Sequence, residues 1–256
     1  MLKMGGADAT GGRSCYAVLP AMPGGPFPST QYSLLVDMQS EHEPLRRQAL
    51  ERFVEAYWKP AYKYIRLRWR KTAEDSEDLT QTFFADFLEH GLVARFDAAR
   101  ASFRTFLRVS LDSQVQRHHE SEGRIKRGGG TKLLSLDFPS AERELPVAAA
   151  DASPEEIFYR EWQRQMFALA VGDLRSEAKA SRREVQFRVF EEYDLAAEPR
   201  PSYQELAVRH QLTVTTVTNY LAWARRELRR LMLDRLAGIT SGENEFRSEA
   251  RRLFSP

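Results

Sequence analysis

Cysteine and long apolar runs are both scarce in this sequence. The 256-residue chain contains one cysteine, Cys15, which excludes an internal disulfide and a cluster of thiolate metal ligands. No apolar stretch reaches the roughly 20 residues that a membrane-spanning helix requires. The apolar patch from Cys15 to Met22 is short and is broken by Pro20, unlike the core of a secretory signal. We therefore expect a cytoplasmic protein that makes no membrane contact.

Net charge is nearly absent, and so are combinations of catalytic residues. The 38 Lys and Arg residues offset 36 Asp and Glu residues to give a formal net charge of +2, which alone indicates no polyanionic partner. His118 and His119 point to different faces of a helix, and no third ligand has suitable spacing, so no metal site is predicted. Residues 127–132 lack the Gly-Lys-Ser/Thr order of a phosphate-binding loop. We expect no catalytic residues, no cofactor and no enzymatic activity.

Helical periodicity is the main pattern that the sequence contains. Apolar residues recur at helical spacing from Leu50 to Ile65, although Pro60 interrupts them and predicts a kink or two abutting helices. Further helices are predicted over 73–90, 102–122 and 177–193, and after the capping residue Ser153. No segment alternates as a strand does. The predicted fold class is therefore all-α.

Glycine and proline divide the helical chain into two small domains. Residues 1–30 hold six of the 14 glycines and four of the 12 prolines, which predicts a disordered N-terminal tail. A first helical domain is predicted over 31–122, a flexible linker over 123–153 and a second helical domain over 154–238. Residues 239–256 are predicted to form a C-terminal tail helix.

The strongest local pattern lies between Ser202 and Met232 and is typical of a helix-turn-helix. Ser202 caps a short helix, the small Ala207 lets a second helix cross closely, and Leu212 fills the turn. The residues expected to face inward on the second helix are Val214, Val217, Leu221 and Leu228. Those expected to face outward are Thr215, Thr216, Thr218, Asn219, Tyr220 and Trp223. Threonine and asparagine can read base edges, and the following Arg225 and Arg226 suit phosphates.

Charged residues are arranged in blocks that the small net charge conceals. Residues 59–71 contain six basic residues and no acid, whereas residues 72–94 contain six acids and no lysine or arginine. The net charge is +5 over 95–132, −4 over 139–163 and +4 over 199–236. Solvated helix faces explain any single block. Two basic blocks in separate helical domains suit two contacts along one polyanion.

Several motifs, taken in chain order, resemble the sigma-70 family of bacterial RNA polymerase sigma factors, specifically the extracytoplasmic-function type. They are FPSTQYSLLV (27–36), YWKPAY (57–62), EDLTQTFF (77–84), FRTFL (103–107), KRGGG (126–130) and LSLD (134–137). The terminal helix-turn-helix is similar to the fourth conserved region of that family. The resemblance extends over about residues 27–254.

The resemblance implies a sigma factor that binds core RNA polymerase and directs promoter recognition and DNA melting. The first domain (sigma region 2) would bind the clamp helices of the β′ subunit and the −10 element. The second domain (region 4) would bind the β flap and read the −35 element, with the linker threading between them. An anti-sigma factor or another regulator is a further implied partner.

The resemblance also implies specific site residues. Those at the positions that bind core polymerase are Asp78, Thr80, Gln81 and Thr82. Those at the positions that bind the −10 DNA are Arg104, Arg108, Ser113, Gln114, Gln116 and Arg117. Those at the positions that bind the −35 DNA are Thr215, Thr216, Thr218, Asn219, Tyr220, Trp223, Arg225 and Arg226.

Two other functions are compatible with the same patterns. One is a helix-turn-helix transcriptional regulator with an N-terminal sensor or partner-binding domain, which would bind its operator without polymerase, normally as a dimer. The other is an adaptor that binds polymerase and has lost promoter recognition.

Overall fold

A computed structural model describes residues 34–89, 92–97, 99–122, 136–145 and 152–254. Within these residues the protein is all-helical and contains no strand, which confirms the predicted fold class. The helices are α1 (Leu34–Met38), α2 (Glu43–Arg68), α3 (Ala73–Glu89), a 3-10 helix (Leu92–Arg95), α4 (Phe103–Glu122), α5 (Phe138–Arg143), α6 (Pro154–Ala180), α7 (Glu184–Asp194), α8 (Tyr203–His210), α9 (Val214–Ala237) and α10 (Glu243–Phe254). The predicted N-terminal tail lies outside the described residues.

The described chain divides into two compact units. The larger unit lies within Phe27–Asp173 and Arg230–Leu253, and the smaller unit contains Leu174–Arg229 and Phe254. The boundaries between these units fall within α6, α9 and α10. The domain boundaries expected from composition fall at 123–153 instead, so the two predicted domains stay a prediction.

Aromatic side chains form the core of the larger unit. The Phe53 ring of α2 lies with its centroid 4.5 Å from that of Phe87 and 5.3 Å from that of Phe84, both on α3. The Phe103 ring of α4 lies 6.0 Å from the Phe53 ring. All four side chains are buried, as the apolar stripes of the three helices predict. Such pairs add stabilisation beyond the area that they bury.

Helix α2 continues through Pro60, so the alternative of two abutting helices is wrong, and a kink at Pro60 stays a prediction. Proline removes one backbone hydrogen bond and costs about 3 kcal/mol in a helix interior. The residues on both sides of Pro60 are buried, including Tyr57, Tyr62 and Ile65. Each such side chain contributes about 1.5–3 kcal/mol on burial, so packing outweighs the loss at Pro60.

Part of the predicted linker is folded. Residues 138–143 form α5, which begins at the capping residue Asp137, whose side chain accepts a hydrogen bond from the Ser140 N–H. The Phe138 ring packs against Trp58 and Tyr62 of α2 at centroid distances of 5.6 and 5.2 Å. A flexible linker was therefore wrong for these residues, because Phe138 supplies an apolar anchor. Residues 123–135 and 146–151 of the predicted linker lie outside the described residues.

In the smaller unit, a sharp turn separates α6 from α7. The sequence predicts one helix over 177–193, but α6 ends at Ala180 and α7 begins at Glu184. Arg182 adopts a left-handed conformation with φ of 57°, and the Arg183 N–H donates to the Ala178 carbonyl at 2.7 Å. This arrangement resembles a Schellman ending, in which glycine is the usual residue. An arginine there carries no sequence signal for a turn, so the break was missed.

The aromatic core of the larger unit predicts a large effect for Phe53→Ala. Removal of this fully buried ring should lower the free energy of unfolding by about 3–5 kcal/mol, because a cavity replaces its contacts. Leu45→Ala on the same helix is the matched control, since Leu45 is 46% exposed and should change stability by less than about 1 kcal/mol. Urea unfolding followed by circular dichroism measures both values. Equal losses in the two variants would contradict this assignment of the core.

Candidate functional site

Helices α8 and α9 are joined by a tight turn with three distinct stabilising features. The Ser202 hydroxyl accepts a hydrogen bond from the Glu205 N–H at 3.2 Å, and the Glu205 carboxylate accepts one from the Ser202 N–H at 2.6 Å. This capping box fixes the start of α8. Gln211 adopts a left-handed conformation with φ of 56°, and the Leu212 N–H donates to the Ala207 carbonyl at 2.8 Å. Two helices joined by a short turn are thus present, and their assignment as a DNA-binding helix-turn-helix stays a prediction.

Helix α9 turns one face into the smaller unit and another to solvent. Val217, Leu221 and Leu228 are buried, as are Leu206 and Ala207 of α8. Val214 was expected to face inward but is 41% exposed at the first position of α9. The exposed residues of the predicted −35 face are Thr215, Thr218 and Asn219. Its partly exposed residues are Thr216, Tyr220 and Trp223.

Arg225 and Arg226 differ in their surroundings, although the sequence places both among the DNA contacts. The Arg225 guanidinium donates two hydrogen bonds, both of 2.9 Å, to the Asp194 carboxylate of α7. This buried carboxylate raises the pKa of Arg225 through those hydrogen bonds. Arg226 is exposed and lies 3.9 Å from Glu227. The structure therefore leaves Arg226 on the surface and ties Arg225 to the interior of the unit.

The four residues predicted to bind polymerase do not share one environment. Asp78 and Thr82 are exposed and lie one turn apart on α3, and Gln81 is partly exposed beside them. The Thr80 side chain is buried, and its hydroxyl donates to the Ser76 carbonyl at 2.6 Å. Thr80 therefore supports α3 from inside, while the other three form a polar surface.

A groove of about 450 Å³ runs beside α4 and brings together four of the six residues predicted to bind the −10 DNA. Ser113, Gln114, Gln116 and Arg117 all line it, opposite Phe83 of α3. The Gln114 side chain is buried, and its amide nitrogen has no hydrogen-bond partner among the described residues. An unpaired buried donor is costly unless a ligand or water meets it. The groove therefore offers a polar site of small-molecule size.

Arg104, also predicted to bind the −10 DNA, is buried instead. Its side chain forms an ion pair with the buried Glu249 of α10, and its guanidinium lies 4.4 Å from the Tyr159 ring centroid and 4.9 Å from that of Trp162. The Phe103 N–H also donates to Glu245 of α10 at 2.6 Å. Arg104 consequently has no surface for a phosphate in this conformation. The sequence missed this role because Glu249 lies in a segment assigned to the tail.

Arg108 belongs to a second network, around Asp112. Its guanidinium donates to the Asp112 carboxylate at 3.0 Å, and the Tyr64 hydroxyl and the Trp69 indole each donate to the same carboxylate at 2.9 Å. Burial and this carboxylate raise the pKa of Tyr64. Arg108 is partly exposed, so it can contact a ligand while it remains paired with Asp112.

The basic block of α2 is matched by acidic residues that follow α4 in the chain. Glu144 accepts hydrogen bonds from Lys59 at 2.8 Å and from Lys63 at 3.0 Å, and Lys63 lies 3.3 Å from Glu161 of α6. Arg66 pairs with Glu142 of α5, and this hydrogen-bonded pair lowers the pKa of Glu142. Lys59, Lys63 and Arg66 are therefore neutralised within the larger unit.

No protein-family model, curated protein or solved structure matches this chain. None of the described helices is long and apolar enough to cross a membrane. Among the same residues, no group of three or more His, Cys, Asp and Glu side chains is arranged to hold a metal ion.

The burial of Arg104 predicts that Glu249→Gln destabilises the larger unit. Loss of this carboxylate leaves a buried guanidinium without its counter-charge, which typically costs about 3–5 kcal/mol. Glu243→Gln on the same helix is the control, because the Glu243–Arg247 pair is exposed and should be worth less than about 1 kcal/mol. Urea unfolding measures both variants. A loss for Glu249→Gln no larger than that for the control would show that the pair is not structural.

Proposed function

We propose that this protein is a sigma factor of the extracytoplasmic-function type, which acts in the cytoplasm to bring core RNA polymerase to promoters. In this proposal the predicted region 2 binds the β′ clamp and the −10 element. The predicted region 4 binds the β flap and the −35 element, and the linker between the two domains follows the polymerase. The motifs at 57–62, 77–84 and 103–107 support it through their order in the chain.

The observation that carries the proposal is the polar surface of α9 in a capped helix-turn-helix. Thr215, Thr218 and Asn219 are exposed near the N-terminal end of the second helix, the end that contacts base edges in this motif. Threonine and asparagine can donate to and accept from base edges in the major groove. The exposed Arg226 lies farther along the same helix, where a phosphate contact would fix the register.

The groove beside α4 supports the second DNA contact. An unstacked nucleobase presents acceptors that the unpaired amide nitrogen of Gln114 could meet. Arg117 and Arg95 line the groove with exposed cationic side chains, while Asp86 and Glu120 line it with carboxylates. Cations near a base-sized site are what capture of single-stranded DNA requires. The groove therefore fits a flipped base better than it fits duplex DNA.

The alternative, a helix-turn-helix regulator that binds DNA without polymerase, is favoured by one observation. Arg104 is buried, and three basic residues of α2 are paired with carboxylates. These pairs leave the larger unit fewer cations for DNA than its sequence suggests. In a regulator, only the α8–α9 hairpin would contact DNA.

Binding to core polymerase distinguishes the two functions. Wild-type protein should co-elute with purified core enzyme, and Asp78→Lys should weaken this association at least about tenfold, or about 1.4 kcal/mol, because charge reversal opposes a polar interface. Glu41→Lys is the matched control, since Glu41 is exposed in the loop before α2. Analytical ultracentrifugation with labelled protein measures the affinities.

Two results would contradict the proposal. A wild-type chain that does not associate with core enzyme, but binds duplex DNA alone as a dimer, would identify the regulator. Equal losses of affinity for core polymerase in Asp78→Lys and Glu41→Lys would show that the polar surface of α3 is not part of the interface.

A further inference from the structure

We propose that the turn between α6 and α7 is an additional DNA-backbone contact beside α9, through Lys179, Arg182 and Arg183. This inference rests on the proposed function of α9 and assigns a role to residues that the sequence motifs do not mark. We refer to these three residues as the basic turn. All three are exposed, and they lie in the same compact unit as the α8–α9 hairpin.

Arg182 occupies a backbone conformation that favours glycine. Its φ is 57°, in the left-handed region where a side chain adds steric cost and glycine adds none. Helices commonly end with glycine at this position. A residue kept in a costly conformation points to a use for its side chain. The Arg182 side chain is exposed and makes no hydrogen bond or ion pair with the described residues, so its positive charge is available to a partner.

Arg183 connects the basic turn to the predicted recognition helix. Its guanidinium lies 5.3 Å from the centroid of the Trp223 ring on α9, within the range of a cation–π contact. This contact holds the cation next to a residue of the predicted −35 face. The planar guanidinium can stack on an aromatic ring and still donate hydrogen bonds at its edge. Arg183 is thus held beside α9 with its donors able to reach a phosphate.

Other arginines of the smaller unit are neutralised by carboxylates, and the basic turn is not. Arg175 pairs with Glu191 at 2.6 Å, Arg209 with Glu192 at 2.5 Å, and Arg225 with Asp194 at 2.9 Å. In the described part of the chain, no such pair involves the three residues of the basic turn. Glu184 follows Arg183 directly and reduces the local charge, but it lies within 4 Å of none of these cations.

Duplex DNA is the occupant that this arrangement favours. Phosphates flank the major groove in two rows, so a helix that reads base edges brings the protein surface beside it close to the backbone. Unpaired cations at such a position gain affinity by releasing condensed counterions. An acidic protein surface could also attract the basic turn, and the experiment separates that possibility from DNA.

The test measures the salt dependence of DNA binding by the full chain, alone and bound to core polymerase. The probe is a duplex selected by the wild-type protein from a random-sequence library. Arg182→Gly and Arg183→Gln should each reduce the slope of log K against log salt by about 0.9, the loss of one phosphate contact. They should weaken binding similarly for every sequence, because phosphate contacts carry no sequence information.

Thermal unfolding shows whether a loss of DNA binding in a variant comes from a folding defect. Arg182→Gly should leave the Tm unchanged or raise it, since glycine relieves the left-handed conformation. Arg160→Gln is the control for net charge, because Arg160 is an exposed arginine of α6 in the larger unit. This control should leave the slope unchanged.

Three outcomes would overturn the inference. If both variants bind the duplex with the same slope of log K against log salt as the wild type, the basic turn makes no phosphate contact. This result would leave the proposed function standing. The inference would also be overturned, without the proposed function, if the variants weaken only the binding to polymerase. The basic turn would then contact the polymerase and not DNA. A wild-type chain that binds no duplex in either state would overturn the proposed function, and this inference with it.

Discussion

A basic side chain of this protein that pairs with a carboxylate of the same chain has less net charge and fewer free N–H donors for a phosphate of DNA. This constraint sorts the cations of the protein into two sets. Lys63, Arg104 and Arg225 are held by internal carboxylates. Their partners link α2 to the segment after α5, α4 to α10, and α9 to α7. Burying such a charge without its partner would cost several kcal/mol, so these pairs also select one arrangement of the helices.

Among the described residues, several exposed cations outside these three pairs mark where a polyanion can bind. Arg117 lines the groove beside α4, and Arg226 and the basic turn lie in the unit that contains the α8–α9 hairpin. The net charge of +2 therefore conceals both internal ion pairs and, among the described residues, exposed cations such as those of the basic turn. Local unpaired charge, and not the total, determines affinity for nucleic acid. The acidic stretch at 139–163, which the sequence alone associates with a linker, serves partly as the counter-charge of α2.

Local signals in the sequence were sufficient for most helices and for the α8–α9 turn. The apolar stripes predicted α3 and α4 closely, and Ser202 predicted its own cap, because these features depend on residues within one or two turns. The roles of Arg104 and Arg225 could not be predicted in this way. Their partners are 145 and 31 residues away in the chain, and spacing along the sequence contains no information about such pairs. The break at Arg182 was missed for a different reason, because a left-handed arginine leaves no local sequence signal for the end of a helix.

Run-off transcription with purified core enzyme is the decisive test of the proposal that this one chain binds both polymerase and promoter. The template should contain sequences enriched by the protein bound to core enzyme, and core enzyme alone should serve as the background. We expect discrete transcripts that depend on the protein, and their loss when the predicted −35 face carries Asn219→Ala together with Thr218→Ala. A protein that binds the template but never directs initiation by core enzyme would not be a sigma factor.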